Sequence, residues 1–300
     1  MSWEKQGQIF YVNNINSLLS SHASNPLPIL LKDNIFRVFY SGRDFENKSS
    51  VGFVDIDILQ RKIIHEQKTC VFKYGDMNSF YSHGVSIGNM YESNKDKYIL
   101  FMGWNIRNNE HWRGDIGRLR FVENRFLEIS SNEPFISLDE IDKVSLSYPF
   151  VIYHEGVYKM WYGSTLSWTS ENEEMIHVIN YATSKDGEIW HKHGLAIPYE
   201  IGVAQAFSRP TVIINEKGYH MWYSYRSGTG QKYRIGYAHS IDGLIWTRKH
   251  ELAGITTSPN GWDSEMVCYP FVIEHKGEIF MFYNGNKYGE KGFGIAKWKN

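Results

Sequence analysis

A three-residue pattern recurs five times along the 300-residue chain, each time directly before a short apolar segment. In each copy a small residue is followed by a variable residue and then by proline or glycine. The copies are Ser24-Asn25-Pro26, Ser82-His83-Gly84, Ser147-Tyr148-Pro149, Ser208-Arg209-Pro210 and Cys268-Tyr269-Pro270. Their third positions lie 58, 65, 61 and 60 residues apart. A repeat that fills the chain in this way predicts one architecture of five equivalent units.

Each repeat continues with segments that are typical of β-strands. An aromatic-rich segment comes second, as in 158–162 and 219–223, and a third apolar segment follows it. In the third and fourth repeats an Asp-Gly pair leads to a fourth segment, and this pair favours a hairpin because glycine accepts the positive φ of the turn. Four strands in each repeat predict an all-β chain: a five-bladed β-propeller with four-stranded antiparallel blades.

The two ends of the chain complete one blade in this prediction. The last repeat ends at its third strand, 292–298, whereas Gln8-Ile9-Phe10-Tyr11-Val12 is a spare strand near the N-terminus. We expect the N-terminal strand to pair with the last blade, which closes the ring and removes an open sheet edge. The predicted boundaries are a single domain over 1–300, with blades at about 22–72, 80–130, 145–197, 205–253, and 265–300 together with 7–12.

Composition and charge narrow the functional classes. A net charge of -1 and no basic stripe disfavour a nucleic-acid partner. No segment approaches the length of an apolar membrane span and the first ten residues lack an apolar signal region, so we expect a cytoplasmic protein. Cys70 and Cys268 lie far apart, which disfavours a disulfide. Because no His, Cys, Asp or Glu spacing is specific for a metal, the sequence predicts no metal and no cofactor.

The predicted topology also locates a site. The first strand of each blade lies nearest the axis and neighbouring strands are antiparallel, so residues that open first strands and residues that follow second strands should surround one mouth of the central channel. The predicted substrate-binding residues at this mouth are Asn25, Arg43, Trp104, Asn105, Arg107, Tyr148, Arg209, Tyr225, Arg226, Tyr269, Asn284 and Asn286. The predicted catalytic residues are Asp44, Asp263, Glu265, His22 and His83.

The strand openings, together with second strands such as Tyr158-Lys159-Met160-Trp161-Tyr162, resemble those of the five-bladed propeller glycoside hydrolases. This superfamily includes the invertase, levansucrase, arabinanase and mannoside phosphorylase families, and the resemblance covers essentially the whole chain. The segment Gly261-Trp262-Asp263-Ser264-Glu265-Met266 is more similar to a bacterial branch linked to surface-polysaccharide biosynthesis. The resemblance implies a carbohydrate-active protein with a sugar or sugar-phosphate ligand, and polysaccharide-assembly enzymes as partners.

The chain departs from the hydrolases of that group at the expected catalytic positions. Their Asp and Glu stand beside the strand-opening proline of the early blades, where this chain has Asn25, His83 and Tyr148. Cleavage of a glycosidic bond normally uses two carboxyl groups. The remaining candidates are Glu265 or Asp263 as general acid and Asp44 as base, and His22 or His83 could replace one of them.

Four arginines at one mouth predict an anionic ligand, because the guanidinium group pairs with phosphate or carboxylate through two hydrogen bonds. Two functions therefore stay open. One is an enzyme that hydrolyses, phosphorolyses or transfers a phosphorylated, nucleotide-linked or acidic sugar. The other is a non-catalytic carbohydrate-binding or scaffolding propeller in polysaccharide biosynthesis. The enzyme hypothesis requires two of Asp44, Asp263 and Glu265 to face one cavity within about 10 Å of each other.

Overall fold

Strands account for nearly all the regular structure of the chain. The structure is a computed structural model and describes residues 2–106, 110–228 and 230–299. Within these residues there are twenty strands, and helix is confined to two short segments, His250–Leu252 and Asn286–Gly289. No helix in these ranges is long and apolar enough to cross a membrane. The predicted all-β class is therefore confirmed.

The strands form units of four antiparallel neighbours, and one parallel pairing of Ser49 with Gly84 joins the first two units into an eight-stranded sheet. The N-terminal strand is β1 (Ser2–Phe10). Unit 1 contains β2 (Ser21–Lys32), β3 (Ile35–Arg43), β4 (Ser49–Asp57) and β5 (Lys62–Glu66). Unit 2 contains β6 (Gly84–Ser93), β7 (Asp96–Ile106), β8 (Trp112–Val122) and β9 (Phe126–Ile129). Unit 3 contains β10 (Ser145–His154), β11 (Val157–Ser167), β12 (Ile176–Ser184) and β13 (His191–Leu195). Unit 4 contains β14 (Gln205–Asn215), β15 (Gly218–Arg226), β16 (Arg234–Ser240) and β17 (Thr247–Arg248). Unit 5 contains β18 (Cys268–His275), β19 (Glu278–Asn284) and β20 (Phe293–Lys299), with β1 as its fourth strand.

Strand β1 pairs antiparallel with β20, from Ser2 opposite Lys299 to Phe10 opposite Phe293. The strand begins earlier in the chain than the predicted segment 8–12. Aromatic packing holds it in place, because the ring of the buried Trp3 lies 4.8 Å from that of Trp298 in an edge-to-face arrangement. The first and last strands of the chain therefore stabilise the same sheet.

The first strands of the five units contact one another in cyclic order. Strand β2 contacts β6, β6 contacts β10, β10 contacts β14, β14 contacts β18, and β18 contacts β2. One large apolar cluster contains residues from every unit, including Phe39, Phe101, Trp161, Tyr223 and Phe282. The order of contacts places the openings of the first strands close to one another.

A β-bulge recurs at the Ser-x-Pro motifs. In unit 3, Ser147 pairs with Gly163 and Phe150 with Trp161, so three residues of the first strand oppose two of the second. The same shift occurs at the corresponding positions of units 1, 4 and 5. The middle residues of these four copies have left-handed backbones: Asn25 (φ 57°), Tyr148 (37°), Arg209 (49°) and Tyr269 (52°). Non-glycine residues held in this conformation concentrate at functional sites.

The second copy of the motif is Ser86-Ile87-Gly88, four residues later than the sequence pattern indicated. Its Ile87 backbone N–H donates to Ser41 Oγ of the preceding unit (3.0 Å), as the Tyr269 N–H donates to Ser224 Oγ (2.7 Å). With this correction the third positions lie 62, 61, 61 and 60 residues apart. The assignment of Ser82-His83-Gly84 was therefore wrong. The two triplets are easily confused in the sequence, because each has a serine two positions before a glycine.

Removal of the Trp3 ring tests the contribution of β1. We expect Trp3→Ala to lower the free energy of unfolding by about 3–5 kcal/mol, because it leaves a cavity between Trp222 and Trp298. Urea denaturation followed by tryptophan fluorescence measures this change. Met77→Ala is the control, because this side chain is 92% exposed and its removal should change stability by less than about 0.5 kcal/mol. Equal effects of the two substitutions would contradict this account of β1.

Candidate functional site

A cavity of about 330 Å³ lies where the first strands open, and we refer to it as the central cavity. Its hydroxyl-bearing and aromatic residues are Ser24, Ser41, Ser49, Ser86, Ser147, Ser208, Trp104, Trp112, Tyr148, Tyr233, Tyr269 and Tyr288. Its other residues are Asn25, Arg43, Met102, Met175, His177 and Arg226. No carboxylate is found among the described residues of this lining. The cavity is therefore rich in hydroxyls and aromatic rings, and its charged side chains are arginines.

Four tyrosines form one wall of the central cavity. The Tyr269 ring lies 5.5 Å from that of Tyr148, 6.2 Å from Tyr233 and 6.4 Å from Tyr288 between centroids. Tyr288 has a left-handed backbone (φ 59°), and its carbonyl oxygen accepts a hydrogen bond from Ser24 Oγ. Burial raises the pKa of Tyr233 and Tyr269, so both phenols stay protonated and can donate hydrogen bonds to a ligand.

Two arginines face the central cavity with different degrees of neutralisation. Arg226 Nη2 donates to Glu174 Oε1 at 2.8 Å, and its guanidinium carbon lies 4.9 Å from the centroid of the Tyr233 ring. Arg43 makes no ion pair within the part of the chain that the structure describes. Its charge is therefore available to a ligand.

A third arginine, Arg209, reaches from unit 4 to units 1 and 2. It donates from Nη1 to the Ile87 carbonyl oxygen (2.6 Å) and from Nη2 to the Pro26 carbonyl oxygen (2.8 Å). The side chain is 2% exposed, and Nε has no hydrogen-bond partner among the described residues. Burial lowers its pKa to about 10, so the group stays charged at neutral pH. Arg209 thus adds a buried positive charge that no described carboxylate compensates.

His177 forms a hydrogen-bonded group with two hydroxyls at the cavity wall. Its Nε2 lies 2.6 Å from Ser147 Oγ and its Nδ1 lies 2.7 Å from Thr165 Oγ1. Burial, together with the charge of Arg226, lowers the pKa of His177 to about 3, so the imidazole is neutral at ordinary pH. Gly163 permits this packing, because a Cβ there would lie 2.1 Å from Ser147 Oγ.

Several of the predicted substrate-binding residues lie together. Those that line the central cavity are Asn25, Arg43, Trp104, Tyr148, Arg226 and Tyr269. Asn284 lies behind them, since its Oδ1 accepts the Asn25 N–H at 2.9 Å. Arg107 lies outside the described residues.

The remaining predicted binding residues do not line the central cavity. Asn105 is buried and donates to the Phe80 carbonyl oxygen at 3.1 Å. The Tyr225 ring stacks on His250 with 4.0 Å between centroids. Asn286 Oδ1 accepts hydrogen bonds from two backbone N–H groups of the preceding loop. Each of these side chains stabilises local structure.

The three candidate carboxylates also lie away from the central cavity. Asp44 Oδ1 accepts the backbone N–H groups of two residues in its own turn. Asp263 is 1% exposed and binds Lys5 Nζ (2.6 Å) and the Tyr283 hydroxyl (3.0 Å). Glu265 is exposed, and the hydrogen bonds described for it involve its backbone. The pair of carboxylates that the enzyme hypothesis required is not found among the described residues that line this cavity.

The candidate histidines are likewise outside the lining. His22 Nδ1 lies 2.9 Å from Ser21 Oγ, and burial followed by the charge of Arg43 lowers the pKa of His22 to about 4. His83 lies just before β6, with its ring 5.9 Å from that of Trp104. His83 is therefore close to the cavity but does not form its wall.

The site predicted from the sequence did not include residues at the beginning of third strands. In an antiparallel unit the third strand starts at the same edge where the first strand starts, so its opening residues belong to the same mouth. Ser49 and Trp112 begin β4 and β8, His177 is the second residue of β12, and Tyr233 directly precedes β16. The same topological argument, extended by one strand, would have found all four.

Within the described residues, no group of three or more His, Cys, Asp or Glu side chains could hold a metal ion. Cys70 and Cys268 are both free thiols. The site must therefore be interpreted from its arginines, tyrosines, serines and His177.

Comparison with known proteins places the chain in a family. No protein-family model matches it. Two Mycobacterium tuberculosis proteins, "Uncharacterized protein Rv1502" of strain H37Rv and "Uncharacterized protein MT1551" of strain CDC 1551, are each 39% identical to it over 302 residues, covering 100% of both chains. The chain belongs to their family. The match extends over the full length of this chain and of both relatives.

Solved structures share this fold at low sequence identity. A glycosyl hydrolase from Bacteroides ovatus matches with a TM-score of 0.71 and 14% identity, over 100% of this chain and 90% of that one. A structure from the "GH130 family of mannoside phosphorylases" matches with 0.69 and 14%, over 99% and 93%. Sucrose-6-phosphate hydrolase from Lactobacillus gasseri matches with 0.66 and 12%, over 92% and 59%. The chain therefore shares the fold of these glycoside hydrolase-like proteins, as the sequence resemblance led us to expect.

The low pKa of His177 predicts a pH-dependent stability. The folded-state pKa is about 3 and the unfolded value about 6.5, so the unfolded state binds more protons between these values and stability falls as pH decreases through this window. Between pH 7 and pH 4.5 this residue should cost the wild type about 2 kcal/mol, and His177→Gln should remove that loss. Urea unfolding across this range measures it. The two pH profiles should run parallel above pH 7.5, and parallel profiles at low pH as well would contradict the assignment.

Proposed function

We propose that the central cavity binds a sugar that carries a phosphate or carboxylate group. The observation that carries this proposal is Arg43, which faces the cavity with no acidic partner among the described residues. Arg226 faces the same space, and the buried Arg209 adds further positive charge. An excess of guanidinium groups over carboxylates favours an anionic ligand, and arginine binds such groups through paired, charge-assisted hydrogen bonds.

The rest of the lining supports a sugar rather than a simple anion. Serine and tyrosine hydroxyls can exchange hydrogen bonds with the hydroxyls of a pyranose ring, and aromatic side chains such as Trp104 and Trp112 can pack against its apolar face. A volume of about 330 Å³ is at the lower end of the range for ligand sites. The structural relatives named for mannosides and sucrose 6-phosphate make a carbohydrate the natural first ligand class to test.

The absence of lining carboxylates among the described residues favours phosphorolysis or glycosyl transfer over hydrolysis. A phosphate ion attacks without a general base, so phosphorolysis needs only a proton donor for the departing sugar oxygen. A nucleotide leaves as a stabilised anion, so transfer needs only a base that takes the proton of the acceptor hydroxyl. Each reaction therefore needs one acid or base group where hydrolysis needs two. Arg43 and Arg226 would stabilise the charge on the phosphate, and the protonated Tyr269 could donate a hydrogen bond to the sugar oxygen. The lack of a carboxylate pair equally supports the second candidate, a non-catalytic carbohydrate-binding or scaffolding propeller.

The architecture that we infer for this function is one domain over 1–300, in which the five units are the blades of a closed ring. The cyclic contacts of the first strands and the pairing of β1 with β20 support it. A cytoplasmic location and polysaccharide-assembly enzymes as partners remain predictions from the sequence.

Substitution of the two lining arginines tests the anion site. We expect Arg43→Gln and Arg226→Gln each to weaken binding of the anionic sugar by about 10- to 100-fold, because each removes a charge-assisted hydrogen bond. A thermal-shift screen of hexose phosphates, nucleoside diphosphate sugars and hexuronic acids identifies the ligand, and calorimetric titration then gives the affinities. Arg120→Gln is the matched control, because Arg120 forms an exposed pair with Glu128 on the outer strands of unit 2.

Failure of every anionic sugar at millimolar concentration to raise the melting temperature would overturn the proposal. Incubation of the bound sugar with inorganic phosphate or with an acceptor sugar, followed by chromatography, separates the two candidates. Turnover that is lost in Arg43→Gln indicates the enzyme, whereas binding without turnover indicates the carbohydrate-binding propeller.

A further inference from the structure

A second concave surface lies beside the central cavity, and we refer to it as the rim groove. Its volume is about 690 Å³, and its lining includes Tyr11, Trp262, Glu290 and Lys291. The turn that contains Glu290 and Lys291 separates it from the central cavity, since the Tyr288 ring of the same turn lines the cavity. A ligand that extends over this turn would contact both surfaces.

We propose that the rim groove binds the neutral continuation of an oligosaccharide or glycoconjugate whose anionic sugar occupies the central cavity. The proposal rests on the proposed function of that cavity and adds the size of the ligand to it. The natural ligand is then a glycan of at least two sugars, with charge at the end held by Arg43 and Arg226 and little charge beyond it.

The charge balance of the rim groove supports a neutral occupant. Glu290 Oε1 lies 3.3 Å from Lys291 Nζ, and these are the only charged side chains among the described residues that line the groove, so its lining carries no net charge. The central cavity, in contrast, carries lining arginines and no lining carboxylate among the described residues. An anionic sugar therefore prefers the cavity, and the groove offers no comparable attraction for a second charge.

Aromatic surface is present in the rim groove. Tyr11 is 56% exposed, and it follows β1 directly. Gly292 allows its backbone to lie close to this segment, because a Cβ at this position would lie 2.0 Å from the Phe10 carbonyl oxygen and 2.8 Å from Tyr11 Cα. Trp262 is held by Tyr283, with 5.1 Å between the ring centroids, and is only partly buried. Aromatic rings with a polar edge suit the alternating apolar and hydroxyl faces of a sugar.

The turn between the two surfaces is firmly held. The Asn286 N–H donates to the Trp262 carbonyl oxygen at 2.8 Å, and the Glu290 N–H donates to the Lys287 carbonyl oxygen at 3.1 Å. The hydrogen bond from Ser24 Oγ to the Tyr288 carbonyl oxygen ties the turn to β2. The relative positions of cavity and groove are therefore set before binding, which lowers the entropy cost for a ligand that occupies both.

Chain-length dependence of binding tests the proposal. The probes are oligosaccharides of two to six sugars that carry one phosphorylated or carboxylated residue, displayed on an array, and the same anionic sugars as free monosaccharides in calorimetry. The wild type should bind its best oligosaccharide at least about tenfold more tightly than the monosaccharide. Tyr11→Ala and Trp262→Phe should each reduce this gain and leave the monosaccharide affinity unchanged. Tyr153→Ala is the matched control, because Tyr153 is 61% exposed near the far end of β10.

The outcomes separate the two proposals. An anionic monosaccharide that binds as tightly as every oligosaccharide, or a gain that survives both groove substitutions, overturns the rim groove and leaves the proposed function standing. Failure of all anionic monosaccharides and oligosaccharides to bind the wild type overturns the proposed function and the groove with it. Loss of monosaccharide binding in Tyr11→Ala would show that the residue acts on the cavity, which also contradicts the groove.

Discussion

The β-bulge at the opening of each first strand determines both the assembly of the units and the shape of the site. The extra residue turns the backbone of Asn25 and Tyr269 into the left-handed region. Their N–H groups are then hydrogen-bonded by Asn284 and Ser224, on the second strand of the preceding unit. One local distortion therefore directs a side chain inward and joins neighbouring sheets. A left-handed non-glycine residue costs about 1–2 kcal/mol, and these contacts between units offset that cost.

Positive charge predominates around the central cavity. Arg209 is buried against two carbonyl oxygens, and no carboxylate approaches it within the described ranges. A buried charge without a counter-ion is unfavourable, so a ligand that brings negative charge to the adjacent cavity would relieve part of that cost. Glu174 compensates only Arg226. Arg209 also connects units that are distant in sequence through its two hydrogen bonds. The positive charge beside the cavity is therefore carried by a residue that also holds the units together.

Periodicity predicted the class of the fold and the strands, because each strand depends mainly on residues within it and on the turns beside it. It could not locate the motif of the second unit to within four residues, because the triplets ending at Gly84 and Gly88 both match the pattern. It also could not distinguish structural from functional carboxylates. Asp263 is paired with Lys5, 258 residues away, and such a contact leaves no local signal. The lining residues of the third strands, such as His177, could have been predicted from the alternation of strand direction alone. The prediction used that alternation only for the first two strands of each unit.

The sheet that joins the two ends of the chain has a consequence for biosynthesis. Ser2 pairs with Lys299, so β1 is synthesised long before the strand with which it pairs. Units 1 to 4 contain their own strands and can form in order during synthesis, whereas β1 stays without its partner until β20 has been synthesised. Contacts of such large sequence separation close slowly. Nascent chains that stall before β20 would therefore expose Trp3 and an unpaired strand edge, the features that chaperones bind and that aggregation uses.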